Sequence, residues 1–379
     1  MEARPLRRES TVNRIVLKAL RPLSFVQVRR ISAARRDDGD ARVAGIYQEM
    51  ERVFGVISPP VALHSPAPDM LAASWMLLYE TLLVPGKVDR AAKEAVATAV
   101  SKGNACPYCV TVHGAMMQGL DRRKEAAAIA DDRIEQIDDP TVRAISSWAK
   151  ASASPETAAG HEPPFPAEHA SEIVGVALVF HYFNRMVNVF LPDAPLPPGV
   201  PAAALGAVVP VLSRLMRSAY RNAAPPGATL DLLPEATHLL EPQLSPKLWW
   251  AADNPHIAQA LARACAAVEA AGRRAVPTAV RELVLAELEA WDGRPKGPSR
   301  AWVEQAIRGL PADQQPAGRL ALLIALASYQ VDETAVAAFQ AGDRTDATVV
   351  ELASWASLTA AVHATTWTSI PRPAARTGL

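Results

Sequence analysis

Apolar positions recur three and four residues apart along most of the chain, which is the period of helices. Between Asp40 and Phe54 they form one stripe, Val43, Ile46, Tyr47, Met50, Val53 and Phe54, before Gly55 to Pro60 breaks the pattern. The run from Pro68 to Leu83, with Trp75, Leu78 and Leu82, is denser and stops at Pro85 and Gly86. An Ala/Val-rich helix around Glu94 follows. Gly103 and Asn104, both tolerant of the left-handed conformation, end it, and Pro107 suits the first position of the next helix. A polar turn at Asp121 and Arg122 then leads to helices over roughly Lys124–Ala130 and Pro140–Ala153, the second with Val142, Ile145 and Trp148 as its stripe. Ser154–Pro166 reads as loop. Ala167–Phe190 is too densely apolar for a single exposed face, so it is expected to be buried, with His181, Asn184 and Arg185 set among apolar residues. A buried arginine needs a carboxylate or carbonyl partner.

From Leu191 to Pro246 prolines recur around a short helix, Ala202–Arg221, and periodicity resumes at Trp249 and Trp250. The second region echoes the first. Pro255 opens a helix as Pro68 does, and Glu282 follows it at nearly the distance that separates Glu94 from Pro68. Glu282 is followed by Trp291-Asp292-Gly293, without cysteines or a histidine, and then by helices over Gly318–Tyr329, Asp332–Phe339 and Ala347–Trp367. The fold class expected is all-α, duplicated, with a degenerate second repeat and one site.

Composition narrows the function. Aromatic residues make up 6% of the chain, which suits Ala/Leu-rich helices better than sheets. Lys and Arg balance Asp and Glu at 39 each, so bulk charge gives no reason to expect nucleic acid as a partner. Positive charge is local: Arg7, Arg8, Arg14, Lys18, Arg21, Arg29, Arg30, Arg35 and Arg36 face few acids, as in a solvated extension. Three cysteines make no disulfide framework and suit a reducing, cytoplasmic compartment. No uninterrupted apolar run has membrane-spanning length, and no signal-peptide pattern opens the chain.

The chemistry is concentrated between Lys93 and Met117. Cys106 and Cys109 form a C-P-Y-C pair at a helix start, His113 lies one turn further on, and Glu94 is on the preceding helix. Spacings of three and four residues put the cysteines and His113 on one face. Unpaired amides at a helix start favour a thiolate and lower its pKa. Cysteines this close can form a reducible disulfide, and an imidazole oriented by a carboxylate can move a proton. Three plainer readings compete. Half a zinc site lacks its second ligand pair, since Cys265 is distant; a structural disulfide and inert buried cysteines are the others. Glu94 and His113 in register weigh against the last.

These residues resemble the signature of the alkylhydroperoxidase D-like (AhpD-like) branch of the carboxymuconolactone decarboxylase superfamily: Glu, eleven residues, C-x-x-C, three residues, His. R-A-A-K-E before the motif and F-N-R-M-V-N-V-F at 183–190 are similar too. The resemblance implies an AhpD-like helical bundle, with Cys109 as the peroxide-attacking thiol, Cys106 as the resolving thiol, and Glu94 and His113 as the proton relay. It implies no cofactor and no metal, a homo-oligomer, an organic hydroperoxide as substrate and an external dithiol or thioredoxin-like protein as reductant. Tyr108 stands where founding members often carry histidine. Tyr108, Trp75, His181 and Arg185 are the candidate pocket or supporting residues, with a core face for Trp75 and a hydrogen-bonded clamp between helices for His181 and Arg185 as the structural alternatives, and His64 is expected at the surface. The division expected is a basic extension over 1–40, the CxxC domain over 41–190, a Pro-rich connection over 191–248 and the degenerate repeat over 249–379. A thiol-dependent alkyl hydroperoxide reductase is the leading function; a non-enzymatic redox sensor and a cofactor-free carboxymuconolactone-type decarboxylase are the alternatives.

Overall fold

A computed structural model describes residues 24–36, 38–158, 161–216, 225–233, 243–342, 344–368 and 370. Among the described residues every regular element is helical. The basic positions before Ser24 and the end of the expected 202–221 helix lie outside the described residues.

Local chemistry sets most of the helix starts. Asp40 caps α1 (Ala41–Phe54), Asp89 caps α3 (Arg90–Gly103) and Asp139 caps α6 (Pro140–Ala151), each accepting from first-turn amides. Pro68 opens α2 (Pro68–Leu78) and Pro107 opens α4 (Pro107–Gly119), where a missing N–H is no loss. α2 runs into one wider π-helical turn, Tyr79–Leu83, all of it buried. After α5 (Arg123–Ala130) comes α7 (Ala170–Phe190), and then α8 (Leu205–Met216), with Pro210 inside it. The second half holds α9 (Pro255–Ala275), α10 (Thr278–Ala290), α11 (Ala301–Ala306), α12 (Gln315–Ala327), α13 (Glu333–Gln340) and α14 (Asp346–Thr365).

α7 is the axis of the bundle. It is the one described helix long and apolar enough to cross a membrane, although it lies almost wholly inside the protein, packed on α3 and α14. α3 also meets α4 and α6, while α9 lies on α2 and α14. α10 pairs with α12 and α3 with α6, while α2 lies against α9 and α7 against α14. The two glutamates that echo each other differ in burial, Glu94 being enclosed and Glu282 exposed.

A buried ion pair fixes α3 against α7. Glu172 accepts from Lys93 Nζ at 2.8 Å and from the amides of Lys87 and Val88 at 2.8 and 3.3 Å. Burial alone raises a carboxyl pKa, but Lys93 and the two amides hold Glu172 below its ordinary range. Gly86 is required beside it, because a Cβ there would lie 2.2 Å from the Glu172 carboxylate. Removing one partner of such a pair costs about 3–5 kcal/mol.

Two segments expected to be peripheral are packed. From Ser24 onward the chain lies on the bundle, with Arg29 N donating to Phe190 O at 2.8 Å and Ala34 N to Ser65 Oγ at 2.8 Å. In the proline-rich connection α8 packs on α4, where Ser213 Oγ donates to Ala115 O at 2.8 Å.

Candidate active site

The turn between α3 and α4 sets the geometry. Gly103 stays helical and Asn104 has φ −86°, so the left-handed residue is Ala105, at φ +51°. The reason is packing. A Cβ at Gly103 would lie 2.8 Å from Lys150 O and 3.0 Å from Ala153 Cβ, so glycine is needed there for close approach to α6. The Asn104 side chain is engaged on α7, donating to Asn184 Oδ1 at 2.9 Å and reaching His181 Nδ1 at 2.9 Å. The strained conformation therefore falls on an alanine, at about 1–2 kcal/mol.

Cys106 is the residue that caps α4 and Cys109 lies in its first turn; both are free thiols and buried. Burial pushes the Cys106 thiol well above its ordinary pKa and the Cys109 side chain adds to this, while the Cys109 backbone N–H and the Asn184 side chain pull the other way. The expected lowering at a helix start is thus reversed at Cys106, because enclosure outweighs the amides. Cys109 differs in one respect: it lines a cavity of about 450 Å³, and Cys106 does not.

Glu94 Oε2 lies 2.7 Å from His113 Nδ1. Its other oxygen accepts from Arg90 Nε at 2.8 Å and Nη2 at 2.7 Å. Burial raises the Glu94 pKa, yet Arg90 and His113 together hold it below the usual carboxylate range. A carboxylate only accepts, so Nδ1 carries the proton and Nε2 of a neutral His113 is left as an acceptor. The imidazole meets Phe180 in a T-shaped contact, with ring centres 4.5 Å apart, and His113 lines the cavity with Cys109 and Arg90. The walls are apolar, including Phe54, Leu82, Val112, Met116, Phe180 and Phe183, and are closed by Pro195, Pro197, Ala207 and Val208 of the connection. Among the described residues no cluster of three or more His, Cys, Asp or Glu side chains is arranged to hold a metal.

The remaining candidates separate. Tyr108 lines the cavity and donates to Gln27 Oε1 at 3.1 Å, and burial raises its pKa. Trp75 is outside the lining, its indole donating to Glu49 Oε2 at 2.8 Å; Leu78 at the end of α2 and Leu82 in the π-helical turn reach the cavity. His181 is likewise outside it, clamped between Asn104 and Ser152 Oγ (3.0 Å), and burial followed by Arg185 lowers its pKa to about 3. Arg185 donates to the carbonyls of Ala325 at 3.0 Å and His181 at 2.7 Å and does not line this cavity. His64 is not at the surface; it is fully buried against Tyr182 OH at 2.8 Å, and burial lowers its pKa to about 3. Two features escaped the sequence reading. Arg90 carried a signal, since it stands four residues before Glu94 on one helix face. The contribution of the connection to the cavity wall carried none.

Residues 68–151, from the first residue of α2 to the last of α6, match the model of the carboxymuconolactone decarboxylase family, and the match contains the whole motif. The chain belongs to that family, in its AhpD-like branch. A curated relative from Mycobacterium tuberculosis (strain ATCC 25618 / H37Rv), named alkyl hydroperoxide reductase, is 36% identical over 350 residues, which cover 91% of this chain and 95% of the relative.

Proposed function

We propose that the protein is a thiol-dependent hydroperoxide reductase acting on organic hydroperoxides. The Cys109 thiolate attacks the terminal peroxide oxygen, the O–O bond breaks, and the alcohol leaves with a proton while Cys109 becomes a sulfenic acid. The Cys106 sulfur then attacks the Cys109 sulfur, closing a disulfide and releasing water, and an external dithiol, free or thioredoxin-like, reduces it by exchange. His113, oriented by Glu94, takes the thiol proton and returns it to the leaving oxygen. The observation that carries this reading is the shared cavity: Cys109 and the Glu94-bound imidazole line one apolar chamber while Cys106 stays behind it. The apolar lining favours alkyl or aryl peroxides over hydrogen peroxide. The name of the mycobacterial relative supports the same reaction.

The pairing of α10 with α12, like that of α3 with α6, supports a fused pair of repeats over 41–190 and 249–379, with the second supplying the surface on which α2 and α7 pack. The reading also carries a reducing, cytoplasmic setting and self-association into a homo-oligomer. Turnover of cumene hydroperoxide with a dithiol, in wild type and Cys109→Ser, tests the proposal. Turnover that the substitution abolishes supports the enzyme. A wild type that oxidises once and does not turn over points instead to a redox sensor.

A further inference from the structure

A second cleft, of about 600 Å³, is lined in part by the turn between α3 and α4. Asn104 and Ala105, directly before Cys106, line it together with Arg185, Arg300, Trp291, Ser328 and Tyr329. Among the described residues two arginines line it and no carboxylate does. Arg300 is neutralised by Asp332, 2.7 Å away, and also donates to Gln330 O. Arg185 is not neutralised. It is 7% exposed, and among the described residues no acid lies within ion-pair distance. Its Nε and Nη1 donate to two carbonyls, and Nη2 takes no partner among the described residues. Burial holds its pKa down to about 10, so the side chain remains charged at neutral pH.

An enclosed cation with neutral partners alone is costly, and a bound anion removes that cost. Ser328 adds a second donor: its oxygen accepts from Asn188 Nδ2 at 3.0 Å, which leaves the hydroxyl hydrogen without a protein acceptor among the described residues. The cleft is far larger than a bare ion needs, and Trp291 and Tyr329 offer ring surface in its lining. We infer that this cleft binds a small organic oxyanion, its carboxylate or phosphate group held by Arg185 and Ser328 and its apolar body against Trp291 and Tyr329. The site is separate from the peroxide cavity, and the inference holds whether or not Cys109 turns over peroxide.

Calorimetric titration of the full chain with benzoate, and separately with inorganic phosphate, at constant ionic strength tests it. Saturable benzoate binding, tighter than that of phosphate, is expected. Arg185→Met should weaken it by about tenfold or more through loss of a charge-assisted bond. Exchanging an unpaired buried cation for an apolar side chain of similar length leaves folding intact or improves it. Should that variant fail to fold, Tyr329→Glu carries the test: Tyr329 is 45% exposed, and a carboxylate there should repel the ligand without disturbing the core. Absence of saturable benzoate binding, phosphate binding at least as tightly as benzoate, or unchanged affinity in the folded variants would each overturn the inference.

Discussion

Glu94→Gln is the substitution whose outcome the site geometry dictates most closely. The carboxylate is fully enclosed and its oxygens are divided, one to Arg90 at 2.8 and 2.7 Å and the other to His113 at 2.7 Å. A glutamine keeps the shape and removes the symmetry. Arg90 only donates, so the amide oxygen must turn toward it and the NH₂ group must face His113. Nδ1 then becomes the acceptor, the ring proton moves to Nε2, and the nitrogen facing the cavity no longer takes a proton. Loss of a positioned general base costs about 10²–10⁴-fold in rate. Replacing a charge-assisted bond by a neutral one also removes about 1–2 kcal/mol of stability. The assay is kcat/KM for cumene hydroperoxide with saturating dithiol, beside urea unfolding to show that the variant is folded. The expected result is a fall of about a hundredfold or more with a modest loss of stability. A folded variant within about threefold of wild type would refute the tautomer argument.

Two further outcomes concern the scaffold. Glu94 and Glu172 both have pKa values below the ordinary carboxylate range in the folded protein, so each contributes stability above the unfolded value of about 4.3 and loses it as pH falls through the lowered folded value. The Tm should therefore drop steeply in acid, and Glu172→Gln should flatten that drop while lowering Tm at pH 7; an unchanged acid slope would contradict the assignment. Gly103→Ala should destabilise the protein by about 1–3 kcal/mol in urea unfolding, because the new methyl meets Lys150 O on α6. A neutral effect would show that α3 and α6 can move apart.

Local pattern carried much of the fold. Helix periodicity and prolines at first positions such as Pro107 are short-range features, and the structure adds the acid caps Asp40 and Asp139. Glu94 and His113 were legible as candidates because their separation spans one helix–turn–helix. The rest depended on distant packing. Sequence leaves Trp75 between core and pocket until Glu49 takes its indole, and leaves His181 between pocket and clamp until Asn104 and Ser152, just past the ends of α3 and α6, hold it. Glycine and asparagine at the end of α3 suggested where the left-handed residue belonged. Contacts to Lys150 and Asn184 moved it to Ala105.

The measurement closest to the central claim is peptide mapping by mass spectrometry after one equivalent of cumene hydroperoxide. The account predicts a Cys106–Cys109 disulfide in wild type, a sulfenic acid trapped on Cys109 in Cys106→Ser, and Cys265 untouched. Oxidation that falls on Cys265, or a first sulfenic acid on Cys106 with Cys109 unmodified, would contradict it.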